Sequence, residues 1–253
     1  MSPGLNLGDL SLRCVKGQGA DRGLVLGGAG SGKSTLADYL GLDWDGRYWA
    51  RKGKRLVMDR KPRYRAEFLS NGLPAKRLYK HWDHGSFIRG SVLVREPDEL
   101  DLAWSLDYHV AIVQGDSDAD IPRMLAVADR FHRRARASQP QLLYVDELLY
   151  FFSSNGMPKG GSDVLKTYAV GGRERGVASL FASQRTKGFP ASIMEELNRL
   201  YLFRVDYRED IKRCREMGAP VTDEDVPEKE HVFRFWTKAD YKMLYGPYSL
   251  DLA

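Results

Sequence analysis

The sequence has 253 residues, of which 43% are hydrophobic and 29% are charged, with a formal net charge of +5. This composition excludes a long disordered or collagen-like chain, and no apolar run approaches the roughly 18–20 residues of a membrane-spanning helix. The first residues lack the apolar core of a signal peptide, so we expect a cytoplasmic protein. In that reducing compartment, Cys14 and Cys214 are expected to be free thiols rather than a disulfide.

Short apolar runs alternate with longer amphipathic stretches along the chain, which is the pattern of an α/β fold. Runs such as 142–145 and 177–182 are apolar throughout, as parallel strands covered on both faces are. We therefore predict one domain, with a mainly parallel central sheet flanked by helices, a core at about 23–213 and a C-terminal extension at about 214–253. The predicted strands are 24–26, 55–58, 91–94, 110–113, 142–145, 177–182, 199–203 and 231–235. The predicted helices are 33–40, 98–105, 120–138, 163–171, 192–197 and 208–217.

A glycine-rich segment directly after the first predicted strand fits the pattern G-x-x-x-x-G-K-[ST] in full. Glycines let a backbone turn its N–H groups inward around phosphate oxygens, and the helix that follows adds the positive end of its dipole. Lys33 is expected to contact the β- and γ-phosphates of ATP, and Ser34 to place its hydroxyl on Mg²⁺. The residues predicted to bind the nucleotide are Gly27, Gly28, Ala29, Gly30, Ser31, Gly32, Lys33, Ser34 and Thr35.

Two later strands end in polar residues that suit ATP hydrolysis. The run 142–145 is followed by Asp146 and Glu147, and the run 177–182 by Ser183 and Gln184. Ligands of open α/β sheets bind at the carboxyl ends of the strands, so we expect these side chains beside the phosphate loop. Asp146 would then hold the Mg²⁺ shell and Glu147 would polarise the attacking water. If the strand 177–182 lies between the strand before the phosphate loop and the strand before Asp146, Gln184 would sense the γ-phosphate.

Several motifs resemble those of the FtsK–HerA superfamily of DNA-pumping ATPases. Residues 173–176 (RERG) are similar to its R-x-x-G motif, 182–185 (ASQR) to its A-[ST]-Q-R strand end, and 198–199 (NR) to the start of its next strand. Residues 59–61 (DRK) are similar to the D-x-K end of its second strand, without the proline often found there. Thr186 also stands where the family usually has a proline. With the phosphate loop and the Asp-Glu strand, the resemblance covers roughly 24–213.

The resemblance implies a P-loop ATPase with an additional central strand and a catalytic glutamate, which uses ATP and Mg²⁺ and assembles as a pentameric or hexameric ring around double-stranded DNA. Only about 22 residues precede the first core strand, so the chain most resembles a minimal viral genome-packaging ATPase. Such a motor acts on DNA of any sequence in the host cytoplasm or virion, with a capsid or portal vertex protein as partner. Two alternative functions remain: a HerA-type or conjugation-type DNA pump, and an assembly or secretion ATPase that acts on proteins. A small-molecule kinase is disfavoured because Glu147 and Gln184 suit activation of water.

Arginines near the Gln184 strand are candidates for a cation supplied in trans by a neighbouring subunit. Arg173 and Arg175 lie at the end of the helix that leads into this strand, and one of them is expected to act in this way. Arg185 and Arg199 are the alternatives. The non-catalytic interpretation of Arg173 and Arg175 is that they cap the helix C-terminus.

The remaining basic segments are less specific. Residues 153–161 are rich in loop formers and would place Lys159 on a DNA phosphate if they enter the pore of a ring, whereas most such loops are connectors. The basic runs 51–55 and 133–136 are predicted to be solvated faces. His81 and His84 have no further ligand nearby in sequence and are not predicted to bind a metal.

Overall fold

A ten-stranded sheet organises the computed structural model. The model describes residues 10–15, 19–48, 51–60, 77–80, 87–105, 108–135, 139–153, 155–240 and 244–250. Lys61, His81 and His84 lie outside these ranges, so the corresponding sequence predictions concern residues that are not described. Among the described helices, none has the length and apolar character that a membrane span requires.

Strands and helices alternate along most of the chain, as the sequence pattern predicts. The strands are β1 (Cys14–Val15), β2 (Gly19–Ala20), β3 (Arg22–Leu26), β4 (Lys54–Asp59), β5 (Arg77–Lys80), β6 (Phe87–Leu93), β7 (Val110–Gln114), β8 (Gln141–Val145), β9 (Val177–Ser183), β10 (Arg199–Leu202), β11 (Val232–Thr237) and β12 (Tyr245–Ser249). The α-helices are α1 (Lys33–Tyr48), α2 (Pro97–Ser105), α3 (Ile121–Arg133), α4 (Val164–Arg175), α5 (Ala191–Glu196) and α6 (Arg208–Glu216).

The large sheet has the strand order β12-β11-β10-β3-β9-β8-β4-β7-β6-β5. The seven neighbouring strands from β10 to β6 pair in parallel, whereas β11, β12 and β5 are antiparallel additions at the two ends. A separate pair, β1 with β2, is antiparallel. This arrangement confirms the predicted α/β class with a mainly parallel sheet.

The core lies in two layers, one on each face of the sheet, because side chains alternate along each strand. Leu24 and Leu26 of β3 pack in one layer with residues of α3 and α4, whereas Val25 packs in the other with α1. All residues of β3, β8 and β9 are buried, which explains why these strands are apolar throughout. Cys14 and Cys214 are both buried and free, as predicted.

Each predicted strand and helix is present, with differences at the ends. Helix α1 continues to Tyr48, beyond the predicted end at residue 40, because Trp44 and Tyr48 are buried in the second layer. Helix α3 ends at Arg133 rather than at residue 138. Strands β1, β2, β5 and β12 were not predicted from the sequence. β12 contains Gly246 and Pro247, residues that strand interiors avoid and edge strands tolerate.

A buried ion pair joins α1 to β4 and corrects one sequence prediction. The carboxylate of Asp45 lies 2.7 Å from the guanidinium of Arg55, and their side chains are only 8% and 5% exposed. Lys54 is buried too, and its Nζ donates to the carbonyl of Tyr108 at 2.5 Å. The prediction that the basic run 51–55 is a solvated face is therefore wrong for Lys54 and Arg55. Burial raises the pKa of Asp45 to about 6, although Arg55 opposes the shift.

Two glycines of α1 should respond in opposite ways to alanine substitution. A Cβ on Gly41 would lie 2.2 Å from the guanidinium nitrogen Nη1 of Arg55, whereas a Cβ on the exposed Gly46 would meet nothing within 4 Å. We expect Gly41→Ala to lower the free energy of unfolding by roughly 3 kcal/mol, because it displaces Arg55 from its buried partner. Gly46→Ala should raise it by up to about 1 kcal/mol through helix propensity. Urea unfolding of both variants measures the difference, and equal shifts would contradict the packing argument.

Candidate active site

Three parallel strands bring the phosphate loop, Asp146, Glu147 and Gln184 to one edge of the sheet. The phosphate loop, 27–34, follows β3, Asp146 and Glu147 follow β8, and Gln184 follows β9. β9 lies between β3 and β8, so it occupies the position that the prediction for Gln184 requires. Carboxyl ends of adjacent parallel strands share an edge, which is where ligands of open α/β sheets bind.

The phosphate loop is held closely against the end of β10. A Cβ on Gly27 would lie 2.5 Å from the Cβ of Phe203, a contact that only glycine avoids. The N–H of Gly28 donates to the carbonyl of Arg204 at 2.7 Å. Gly30 and Gly32 have φ values of 72° and 99°, in the left-handed region that favours glycine. Glycine is therefore required at Gly27 by the close packing, and favoured at Gly30 and Gly32 by the left-handed backbone.

Lys33 begins helix α1 and folds back over the loop that precedes it. Its Nζ donates to the carbonyl of Gly28 at 2.7 Å, and only 7% of the residue is exposed. Ser34 and Thr35 follow in the first turn of the helix. A cation thus lies among loop residues 28–33, beside a helix N-terminus, and this combination favours an anion.

Glu147 and Gln184 are joined directly across the strand ends. The Gln184 Nε2 donates to the Glu147 Oε1 at 2.7 Å. Glu147 has φ 54° and ψ 58°, a left-handed backbone that costs a non-glycine residue about 1–3 kcal/mol and is concentrated at functional sites. Nothing in the sequence signals this conformation, which turns the chain sharply away from β8.

Asp146 lies at the same edge, just before Glu147. Only 4% of Asp146 is exposed, and its Oδ1 accepts a hydrogen bond from the hydroxyl of Tyr144 at 3.1 Å. Its carboxylate and the hydroxyl of Ser34 are oxygen donors of the kind that Mg²⁺ prefers. The donor set at this edge therefore fits a magnesium ion.

The candidate arginines lie in different places. Arg175 is exposed at the end of α4, where its Nη1 donates to the carbonyl of His132 at 3.5 Å. It precedes β9 and so lies at the sheet edge opposite the phosphate loop of its own chain; Arg173 is two residues earlier in the same helix. Arg199 is 5% exposed and its Nε lies 2.7 Å from Asp21 Oδ2, so this alternative is buried away from any neighbour.

Lys159 lies in a short 3₁₀ turn, Lys159–Gly161. Its Nζ is 3.3 Å from Asp118 Oδ2 and 4.7 Å from the ring centre of Tyr150. Tyr150 belongs to the turn that starts after Glu147. The guanidinium of Arg60 also stacks on the Tyr150 ring, 3.5 Å from the ring centre. The segment predicted to reach DNA is thus anchored to the turn that follows the candidate general base.

The structure adds contacts that sequence reasoning missed. Thr186 donates both its N–H and its hydroxyl to the fully buried Asp210, at 2.7 and 2.8 Å. Proline has no N–H, so the threonine makes a bond that a proline at this position could not make. His231, with φ 57°, donates its N–H to the carbonyl of Ser31 at 3.1 Å and so ties the start of β11 to the phosphate loop. These residues are distant in sequence from their partners, and no local pattern identifies them.

Comparison with known proteins supports this fold. No protein-family model and no curated protein matches the sequence. The structure is similar to that of the genome packaging NTPase B204 from Sulfolobus turreted icosahedral virus 2 in complex with AMPPCP, with a TM-score of 0.62, 13% identity, and coverage of 90% of this chain and 98% of the other. It is also similar to the pCW3 conjugation coupling protein TcpA (TM-score 0.51, 13% identity, 91% of this chain and 61% of the other). A third similar structure is that of ATPases 2 and 3 of EssC from Geobacillus thermodenitrificans (TM-score 0.51, 16% identity, 86% and 37%).

These likenesses define the class of fold to which the site belongs. It is the α/β fold of P-loop NTPases, as the FtsK–HerA resemblance predicts. Among the similar structures, the genome packaging NTPase has nearly its whole length covered by this chain. At these identities the comparisons establish the fold alone.

Substitution of Glu147 by glutamine should separate ATP binding from hydrolysis. The amide cannot accept a proton from water, so we expect turnover to fall roughly 10²–10⁴-fold. ATP affinity should stay near that of the unmodified chain, because the phosphate loop and Lys33 are unchanged. Steady-state ATPase assays and equilibrium binding measure the two effects, with Glu195→Gln, at an exposed position of α5, as the control. An equal loss of binding and turnover would assign Glu147 a structural or metal-binding role.

Proposed function

We propose that this chain is an ATP-driven double-stranded DNA translocase that packages a viral genome. The observation that carries the proposal is the hydrogen bond between Gln184 and Glu147 beside a complete phosphate loop. A loop of this type followed by a carboxylate and an amide at adjacent strand ends suits hydrolysis of a nucleoside triphosphate.

The proposed roles follow from where each side chain lies. Residues 27–35 bind the phosphates of ATP through backbone N–H groups, and Lys33 places its charge against the β- and γ-phosphates. Ser34 and Asp146 would hold Mg²⁺, which neutralises phosphate charge when bound. Glu147 accepts a proton from the attacking water, and Gln184, already bonded to Glu147, senses the γ-phosphate.

The coupling to DNA is proposed from the fold, the charge and the position of Lys159. The chain carries a net charge of +5, which suits a polyanion, and its fold is shared with a viral genome packaging NTPase. Lys159 would contact DNA phosphates from the segment 153–161, without reading sequence. Because Lys159 contacts the ring of Tyr150, one turn after Glu147, DNA binding and water activation involve neighbouring parts of the chain.

The proposed assembly is a pentameric or hexameric ring that docks on a capsid or portal vertex protein. Arg175 lies at the opposite sheet edge from the phosphate loop of its own chain, so it would act only on a neighbour's nucleotide. Arg173 shares this helix and is the second candidate. An arginine supplied by a neighbouring subunit typically raises the turnover rate about 10³–10⁵-fold.

The decisive experiment is the rate of ATP hydrolysis with and without double-stranded DNA. We expect DNA of unrelated sequences to stimulate turnover equally, and Lys33→Ala to lose most turnover in both conditions. Binding should weaken steeply with salt, with a slope of about −0.9 per phosphate contact in a plot of log affinity against log salt. Turnover that DNA does not change, or a strong preference for one sequence, would favour a secretion or assembly ATPase over a packaging motor.

Mixing of variants tests the arginine in trans. Arg175→Ala should bind ATP but hydrolyse it poorly, and mixing it with Lys33→Ala should restore part of the activity, because some interfaces then pair an intact loop with an intact arginine. Arg133→Ala, which removes an arginine side chain 72% exposed on α3, is the matched control and should leave turnover unchanged. If these arginines only cap the C-terminus of α4, the variants should unfold at a lower temperature and mixing should restore no activity. Normal turnover by both Arg175→Ala and Arg173→Ala would reject the intersubunit role.

A further inference from the structure

His231 joins the C-terminal part of the chain to the phosphate loop. Its N–H donates to the carbonyl of Ser31 at 3.1 Å, and its own carbonyl accepts the N–H of Leu250 at 2.8 Å. The backbone of His231 is left-handed, with φ 57°. Leu250 directly follows β12, which is the outermost strand at this end of the sheet. One residue therefore connects the outer strand to the loop that would hold the phosphates.

Two side chains from this region fill the space beside Gly32. A Cβ on Gly32 would lie 2.9 Å from the Nδ1 of His231 and 3.3 Å from the Cδ1 of Leu250. Gly32 directly precedes Lys33, whose Nζ closes the loop by donating to the carbonyl of Gly28 at 2.7 Å. A movement of Gly32 into this space would thus displace Lys33 and the N–H groups beside it.

The composition of the loop makes such contacts important for binding. Four of the six residues 27–32 are glycines, and glycine gives a free loop many backbone conformations. A phosphate ligand is held by only one of these conformations, so contacts that fix the loop beforehand lower the entropic cost of binding. The contacts of His231 and Leu250 restrict Ser31 and Gly32 in this way.

We propose that His231 is a positioning residue for the phosphate loop, and that it couples nucleotide binding to the stability of the contacts at the end of β12. This inference rests on the proposed function, because it takes the phosphates to lie on residues 27–34. Coupling between two sites is reciprocal, so a phosphate ligand that fixes the loop also stabilises the contact of His231 with Leu250. The region 214–253, predicted as an extension beyond the core, then takes part in nucleotide binding.

Substitution of His231 by glycine or asparagine separates its side chain from its backbone. Both residues tolerate a left-handed backbone, so both variants keep the N–H that donates to Ser31. Asparagine also places a planar amide where the Cγ, Nδ1 and Cδ2 atoms of the imidazole lie, whereas glycine leaves this space empty. We expect His231→Gly to weaken binding of Mg·ATP and of inorganic tripolyphosphate by the same factor, roughly 5- to 30-fold. His231→Asn should bind both ligands as the unmodified chain does.

Thermal unfolding distinguishes positioning from a general loss of stability. Glycine relieves the strain of the left-handed backbone and so offsets the ring contacts that it removes. We therefore expect His231→Gly to unfold at nearly the same temperature as the unmodified chain. Leu250→Ala should weaken both ligands less than His231→Gly does, because it leaves the imidazole in place. Ser249→Ala, at the neighbouring exposed position of β12, is the matched control and should change neither affinity.

Hydrogen exchange of the Leu250 amide in the full chain tests the reciprocal effect. Saturating tripolyphosphate should slow this exchange by about 5-fold or more in the unmodified chain. The slowing should be lost in His231→Gly and retained in His231→Asn. This measurement on the unmodified chain decides the matter if His231→Gly does not fold.

The outcomes separate this inference from the proposed function. Normal ligand affinity in His231→Gly, equal losses in the glycine and asparagine variants, or unchanged exchange at Leu250 would each overturn the coupling. A loss of affinity accompanied by a clear fall in the unfolding temperature would assign His231 a structural role only. In all these cases, binding that requires Lys33 leaves the nucleotide site in place. If the unmodified chain binds neither ligand in a way that depends on Lys33, the proposed function fails and the coupling fails with it.

Discussion

Parallel pairing of β3 with β9, and of β9 with β8, is the constraint on which the candidate site depends. Each parallel neighbour ends at the same edge of the sheet, so residues far apart in sequence meet there. The phosphate loop, Gln184 and Glu147 are brought together in this way. The same pairing places Arg175 at the opposite edge of the sheet from the phosphate loop of its own chain.

Two of the three described non-glycine residues with positive φ lie at this edge, whereas the third, Lys52, precedes β4. Glu147 is left-handed, and so is His231, whose backbone contacts the phosphate loop. Asp210 is a fully buried carboxylate, which is tolerated because Thr186 and Arg185 both contact it. The coincidence of these arrangements with the phosphate loop favours a catalytic role for this edge.

The sequence was sufficient for the parts of the fold that local patterns determine. The phosphate loop, the apolar strands β8 and β9 and the helices after them could be predicted, because glycine spacing and unbroken apolar runs have few alternative structures. The bond between Thr186 and Asp210, the left-handed backbone of Glu147 and the buried Arg55 could not. Each depends on a partner brought close only by the completed sheet. Helix α1 was predicted too short because Gly41 and Gly46 weaken its helical pattern, whereas the burial of Trp44 and Tyr48 extends it.

The edge strand β12 has a consequence for how copies of this chain meet. Its pairing with β11 is irregular around Gly246 and Pro247, and an irregular strand with a proline is a poor template for another strand. Two copies of the chain are therefore not expected to pair their β12 strands into one continuous β-sheet. In the proposed ring, contacts made through helices and loops would leave each subunit free to tilt against the next, as a motor whose subunits act one at a time requires.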